Sequence, residues 1–106
     1  MRTTDFMRIL LFFDLPVKRE QECKEATKFR NFLLKDGFFM VQYSVYVRVC
    51  NNLENCIMHE NRIKQNLPQN GSVRLLIITE KQYESMRIFI GKKKAEEQAP
   101  KGIEFY

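Results

Sequence analysis

The sequence predicts an α+β fold of the ferredoxin-like type, a βαββαβ sandwich with an additional C-terminal strand. Three observations support this: apolar runs of strand length, two amphipathic segments between them, and turn residues at the boundaries. The 106 residues include three cysteines without CxxC spacing, as expected of one small domain without a disulfide framework or zinc site. Its 44% hydrophobic and 29% charged residues are typical of a globular protein rather than a disordered one.

The first strand and first helix are the clearest elements. "MRILLFF" (7–13) is an almost unbroken apolar run, which predicts a central strand covered on both faces. In the following segment Ala26, Phe29 and Leu33 recur at helical spacing. We expect this helix to begin near Pro16 and to end at Gly37.

The middle of the chain predicts two short strands and a second helix. "FFMVQYSVYVRVC" (38–50) is rich in aromatic and β-branched residues, and "QYS" divides it into strands at about 38–41 and 45–50. Asn51 or Asn52 then caps a helix that ends before Pro68. The expected apolar face of this helix comprises Leu53, Cys56, Ile57, Ile63 and Leu67.

The C-terminal half of the pattern supplies the remaining strands. "SVRLLIIT" (72–79) predicts a buried strand, "EKQYES" a turn, and "MRIFI" (86–90) a shorter strand. Residues 1–91 would form the domain and residues 92–106 a charged tail. The apolar end of this tail would dock as an added strand or on a partner; it consists of Ile103, Phe105 and Tyr106. With both helices on one face of the sheet, we expect a homodimer that packs sheet to sheet on the other.

Asp14 is the candidate site residue, since it places one carboxylate where the first strand ends. From spacing alone, capping of the helix expected at Pro16 is favoured over binding of a divalent ion. One carboxylate per chain is also few for metal-assisted phosphodiester cleavage, although a two-fold dimer would supply a second Asp14. His59 is the one histidine, and its expected place on the polar side of the second helix argues against a histidine-pair ribonuclease.

The charge balance is basic, with 18 Lys and Arg against 13 Asp and Glu. Lys24, Lys28 and Lys35 share one face of the first helix, opposite its apolar stripe. Together with Lys18, Arg19 and Arg30 they form either a solvated surface or a track of phosphate contacts. An RNA-recognition module is the rival fold for a nucleic-acid binder, but "SVYVRVC" (44–50) lacks its aromatic strand motif.

Targeting signals and membrane segments are not predicted. The N-terminus lacks the apolar stretch of a secretory signal and no apolar run is long enough to span a bilayer. We therefore expect a cytoplasmic protein with no membrane partner, translated from Met1 or from Met7.

Three segments, taken in order, resemble the CRISPR-associated protein 2 family, most closely its type II system members. They are "RILLFFDLP" (8–16), "KFRNFLLKDGFFMVQYSVYVRV" (28–49) and "LLIITEKQY" (75–83). The resemblance implies a homodimer in CRISPR adaptation that bridges two dimers of the integrase, CRISPR-associated protein 1, and holds a double-stranded DNA protospacer. It also implies that the tail docks on that integrase.

The same resemblance implies a metal-dependent endonuclease acting on RNA or double-stranded DNA. Asp14 would be its catalytic residue and its ligand for Mg²⁺, or for Mn²⁺ in its place. By position and charge, we expect Lys18, Arg19, Lys28 and Arg30 to contact the nucleic-acid backbone. We place the adaptation scaffold first because one carboxylate per chain is few for a metal-dependent nuclease. The alternative is a toxin-like metal-dependent ribonuclease of the same fold, without an integrase partner.

Overall fold

The structure is a computed structural model that describes residues 6–91 and the backbone of residues 104 and 105. Its elements follow the predicted βαββαβ order, with short additions at the C-terminal end. They are β1 (Met7–Asp14), α1 (Glu20–Lys35), β2 (Phe39–Gln42), β3 (Val45–Cys50), α2 (Leu53–Gln65), β4 (Ser72–Thr79), α3 (Glu80–Glu84), β5 (Phe89–Ile90) and β6 (Glu104–Phe105). The ferredoxin-like α+β prediction is confirmed.

The main sheet has four strands in the order β2-β3-β1-β4, and each neighbouring pair is antiparallel. β1 lies in the interior, where Leu11 pairs with Tyr46 on one side and with Leu75 on the other. The predicted central position of the first strand is confirmed. A strand bonded along both edges is held by two ladders, so its end is a rigid place from which to present a side chain.

The core lies between one face of this sheet and both long helices. Ile9, Leu11 and Phe13 of β1 belong to one buried cluster with Phe29 of α1 and Ile63 of α2. The rings of Phe13 and Phe29 meet edge to face, with centroids 5.5 Å apart, a favourable aromatic geometry. The predicted α1 stripe and the placement of both helices on one face are confirmed.

The opposite side of the sheet, here called the outer face, carries the alternate residues of the strands. On β1, β3 and β4 these are Arg8, Leu10, Phe12, Asp14, Val45, Val47, Val49, Ser72, Arg74, Leu76 and Ile78. Leu10 and Val47 are buried, whereas Phe12 is 37% exposed and Leu76 54% exposed. The outer face therefore combines a buried centre with accessible apolar side chains around it.

The start of α1 differs from the prediction. The helix begins at Glu20 with Arg19 as N-cap, not near Pro16. The Glu22 carboxylate accepts hydrogen bonds from the backbone N–H groups of Lys18 and Arg19, at 3.1 Å and 2.9 Å. A glutamate three residues into a helix satisfies donors at its N-terminus, so α1 starts where Glu22 can do this.

The buried face of α2 is narrower than predicted. Asn52 is confirmed as N-cap, its side chain accepting from the N–H of Asn55 at 2.8 Å. Leu53, Ile57 and Leu67, however, are each 44–51% exposed, so only Cys56 and Ile63 of the predicted apolar face are buried. The helix meets the core through a stripe one residue wide, formed by Cys56, His59 and Ile63.

His59 is the clearest correction. Only 3% of the residue is exposed, and its Nδ1 lies 2.7 Å from Oδ2 of Asp36. The predicted position on the polar side of the helix is therefore wrong. Asp36 is the C-cap residue of α1, a partner 23 positions away that helical spacing within α2 does not indicate.

The C-terminal part is arranged differently in detail. The predicted "EKQYES" turn contains the short helix α3, and the predicted strand 86–90 is reduced to Phe89 and Ile90. β5 pairs in parallel with β6 in a separate two-stranded sheet. Of the predicted tail, only the backbone of Glu104 and Phe105 is described, and Ile103 and Tyr106 lie outside the described residues. Within the described part of the chain, no helix is long and apolar enough to cross a membrane.

Candidate metal and nucleic-acid site

Asp14 is the last residue of β1 and is exposed. Its Cα pairs with that of Ser72 at the start of β4. Because Phe13 points into the core, strand alternation places the Asp14 side chain on the outer face. The carboxylate is thus presented at one end of the face that the helices leave uncovered.

The backbone around Asp14 is held by the turns that precede β3 and β4. Gly71 adopts a φ of +98°, and a Cβ at that position would lie 2.6 Å from the backbone oxygen of Asp14. On the other side, the N–H of Phe13 donates to the backbone oxygen of Ser44 at 3.1 Å. This close packing holds the carboxylate on rigid backbone, which a metal ligand requires.

The helix-cap interpretation of Asp14 is wrong. α1 begins six residues later, at Glu20, and the donors at its N-terminus bond to Glu22. The Asp14 side chain has no hydrogen bond or ion pair to any described residue. Its place at the strand end is therefore not explained by capping.

One chain supplies few metal ligands at this position. Across residues 6–91 there is no group of three or more His, Cys, Asp or Glu side chains that could hold a metal ion. A carboxylate is nonetheless an oxygen donor suited to Mg²⁺, which commonly takes one or two protein carboxylates and fills its other positions with water and phosphate oxygens. Two copies of Asp14 would satisfy that requirement.

The four basic candidates fall into two groups. Lys18 and Arg19 are exposed in the connection between Asp14 and α1. Lys28 is exposed and Arg30 half-buried on α1, which lies on the helical side of the sheet. The first pair follows the carboxylate directly along the chain, whereas the second pair belongs to the other layer.

The predicted basic face of α1 has its expected geometry. Lys24, Lys28 and Lys35 line one groove along the helix, together with Asn31 and Phe32. Lys28 also borders a second groove of about 340 Å³ between α1 and the end of α2. The Nζ of Lys24 lies 3.5 Å from Glu20 in an exposed i,i+4 pair, so part of this face is internally neutralised.

One basic residue that lies near Asp14 is not named in the sequence analysis. Arg74 of β4 is exposed and its Cα pairs with that of Phe12, two positions before Asp14. It therefore shares the outer face and the same end of the sheet. The signal was available in "SVRLLIIT", where a charged residue at the third position is incompatible with a strand buried on both faces.

Comparison with known proteins identifies the family. The family model described as CRISPR associated protein Cas2 matches residues 7–86. This chain belongs to the Cas2 family. The matched range contains the whole four-stranded sheet, both long helices and Asp14, so the resemblance inferred from three sequence segments is confirmed.

Curated relatives agree with this assignment. A protein of Ligilactobacillus salivarius is 52% identical over 82% of this chain and 86% of its own length. One of Campylobacter jejuni is 50% identical over 81% of this chain and 60% of its own length, and one of Flavobacterium psychrophilum is 46% identical over 87% and 80%. Each is named CRISPR-associated endoribonuclease Cas2. The similarity therefore covers most of the domain that carries Asp14.

Proposed function

We propose that this protein acts in CRISPR adaptation as a homodimeric, DNA-binding scaffold that joins dimers of the integrase during acquisition of new spacers. Membership of the Cas2 family places it in a CRISPR system. The structural observation that carries the proposal is the accessible apolar outer face, where Phe12, Val49 and Leu76 are 37–54% exposed. Apolar side chains grouped on one face mark a protein-binding surface, and a second copy of the same sheet would bury them.

A dimer through this face would also bring two copies of Asp14 to one interface. An isologous interface places the same residues of both subunits around a two-fold axis. The two carboxylates would then hold Mg²⁺, or Mn²⁺ in its place, with water and phosphate completing the coordination. The close approach of Gly71 and the hydrogen bond from Phe13 to Ser44 hold the backbone that carries each carboxylate.

Contacts to the nucleic-acid backbone are assigned to basic side chains that are exposed or, for Arg30, half-buried. Lys18 and Arg19 follow Asp14 along the chain, and Lys28 and Arg30 extend the basic surface along α1. Contacts of this kind position a duplex without reading its sequence. They suit a scaffold that must accept protospacers of any sequence.

Metal-dependent endonuclease activity is the second candidate, because the relatives are named as endoribonucleases and Asp14 is held rigidly at the surface. When bound, a divalent ion polarises a phosphoryl oxygen and lowers the pKa of a bound water. Asp14 would anchor the ion, while Lys18 and Arg19 would orient the phosphodiester. The substrate would be RNA or double-stranded DNA.

A spacer-integration assay with purified integrase tests the scaffold. We expect the wild-type dimer and Asp14→Ala to support integration equally, and a protein truncated after Pro100 to lose both the complex and integration. Analytical ultracentrifugation confirms in each case that the dimer is intact. A truncated protein that still assembles and supports integration would contradict the tail-docking part of the proposal, and a monomeric wild type would contradict the dimer.

The nuclease is tested on the same preparations with Mg²⁺, with Mn²⁺ and with EDTA. We expect divalent-ion-dependent cleavage by the wild type and none by Asp14→Ala. Cleavage that persists in Asp14→Ala would show that the carboxylate is not the metal ligand.

DNA binding is tested with four single alanine variants, at Lys18, Arg19, Lys28 and Arg30. Each is expected to weaken duplex binding and to lower the slope of log K against log salt by about one. Lys81→Ala is the matched control, because Lys81 is exposed on α3 at the opposite end of the sheet from Asp14. Unchanged salt slopes in all four variants would place the DNA contacts elsewhere.

A further inference from the structure

We propose that Arg74 is the phosphate-binding residue of the Asp14 site, where it holds a phosphate of the bound nucleic acid beside the carboxylate. This inference rests on the proposed function, since it assumes that nucleic acid reaches the Asp14 end of the sheet. It assigns a role to a residue of β4, outside the β1–α1 region that contains the other basic candidates.

The register of β1 and β4 places the two side chains together. Asp14 pairs with Ser72 and Phe12 pairs with Arg74, so Asp14 and Arg74 are diagonal neighbours on the same face. Diagonal neighbours in an antiparallel pair have Cα atoms roughly 7–8 Å apart, a separation that an arginine side chain spans. Both residues are exposed, and both stand on strands of the main sheet rather than on loops.

Arg8 is the other arginine on the outer face of these strands, and its guanidinium is already occupied by contacts within the chain. Its Nε and its terminal NH2 nitrogen donate to the two carboxylate oxygens of Glu80, each at 2.7 Å. Its guanidinium also lies 4.0 Å from the centre of the Tyr83 ring. Arg8 therefore anchors α3 and has little capacity for a ligand.

Arg74, by contrast, makes no hydrogen bond or ion pair with any residue in the described part of the chain. It does not neutralise Asp14 although it is a cross-strand neighbour. Within one chain both charges thus remain unpaired, one anionic and one cationic, on the same rigid surface.

These two charges match the two needs of a phosphodiester site. A carboxylate repels a phosphate and can approach it only through a cation, whereas a guanidinium binds phosphate oxygens directly through two parallel N–H groups. Arg74 would fix the phosphate and Asp14 would hold the metal ion that shares it. A lysine at position 74 would supply the charge but not the planar pair of donors.

The test measures binding of a fluorescent DNA duplex, and of RNA of the same sequence, by the full-length dimer between about 50 and 200 mM salt. For Arg74→Ala we expect about threefold to tenfold weaker binding and a salt slope lower by about one. Arg74→Lys is expected to restore the salt slope and only part of the affinity. Arg87→Ala, which removes the same charge from an exposed position after α3, is expected to leave both quantities unchanged.

Other outcomes separate this inference from the function on which it rests. Unchanged affinity and salt slope in Arg74→Ala, with the wild type binding normally, would overturn the inference alone. A weaker dimer with unchanged DNA binding per dimer would overturn it too, and would indicate that Arg74 pairs with Asp14 of a second copy. A wild type that binds neither DNA nor RNA would overturn the proposed function and the inference with it.

Discussion

The imidazole Nδ1 of His59 lies 2.7 Å from Oδ2 of Asp36, and both side chains are buried, with 3% and 4% of their surfaces exposed. An ionised carboxylate only accepts hydrogen bonds, so we assign the donated proton to Nδ1. The other oxygen of Asp36 lies 3.1 Å from a guanidinium nitrogen of Arg62. Because Asp36 caps α1 and His59 lies within α2, this contact joins the two helices that cover the sheet.

Removal of the carboxylate is expected to destabilise the protein. Asp36→Ala leaves a buried imidazole donor without its acceptor, at a cost of about 1–3 kcal/mol in the free energy of unfolding. Urea denaturation of Asp36→Ala, His59→Ala and the double variant measures the coupling energy, expected at about 0.5–3 kcal/mol. Glu60→Ala, whose carboxylate meets Lys64 at the surface, serves as control and should cost less. A coupling energy near zero would show that the contact contributes no stability.

The sequence predicted the helices and strands that show a clear hydrophobic pattern within a single segment. The spacing of Ala26, Phe29 and Leu33 indicated the buried side of α1, and "SVRLLIIT" marked both ends of β4. The first turn of α1 was harder to predict, since Pro16 is a common first helical residue but Glu22 decides where the backbone donors are satisfied. Local pattern thus determined which segments are helices more reliably than where they begin.

The candidate site was predictable in one respect and not in others. The end of an apolar strand indicated Asp14, but its side of the sheet and its contact with Gly71 depend on the register of β1 against β4. The Asp36–His59 contact joins residues on two helices and depends on how those helices pack. Both relationships are tertiary, and no spacing within a single element contains them.

Replacement of Gly71, which lies against the backbone of Asp14, is expected to destabilise the protein. Its φ of +98° and the 2.6 Å approach of a Cβ to the backbone oxygen of Asp14 make Gly71→Ala strained and sterically blocked, at a cost of about 1–3 kcal/mol. Gly91→Ala is the matched control, because a Cβ there meets no atom within 4 Å. Urea denaturation should show the loss in the first variant only. Equal free energies of unfolding for Gly71→Ala and the wild type would mean that the turn before β4 can move away from Asp14 without cost.

The pairing of Arg8 with Glu80 predicts a loss of stability in acid. The hydrogen bonds from Arg8 lower the pKa of the Glu80 carboxyl below its ordinary value. A lowered folded-state pKa stabilises the fold above the unfolded-state pKa of about 4.3, and that contribution is lost as the pH falls through the folded-state value. Glu80→Gln should therefore destabilise the protein at neutral pH, by about 1–2 kcal/mol for a half-buried charged contact, and less at low pH.

The control for this prediction is Glu20→Gln, which removes an exposed pairing with Lys24. Exposed ion pairs contribute little to the free energy of unfolding, so the effect of Glu20→Gln on stability should be small at every pH. Denaturation curves between pH 3 and 7 give the comparison. A Glu80→Gln effect that does not shrink in acid would contradict the assignment of the lowered pKa to this contact.

The thiol of Cys56 predicts a loss of stability in alkali. Burial, with a smaller contribution from the neighbouring Cys50 thiol, raises the pKa of Cys56 from 9.0 to about 12. A raised folded-state pKa means that its stabilising contribution is complete below pH 9 and is lost as the pH rises toward 12, because only the unfolded chain releases the proton easily. The free energy of unfolding then falls by at most about 1.4 kcal/mol per pH unit.

We therefore expect Cys56→Ala to lose stability less steeply than the wild type above pH 9. Cys23→Ala, which removes an exposed thiol, should follow the wild type. Urea denaturation across this pH range makes the comparison, and identical slopes for Cys56→Ala and the wild type would show that this thiol does not titrate on unfolding.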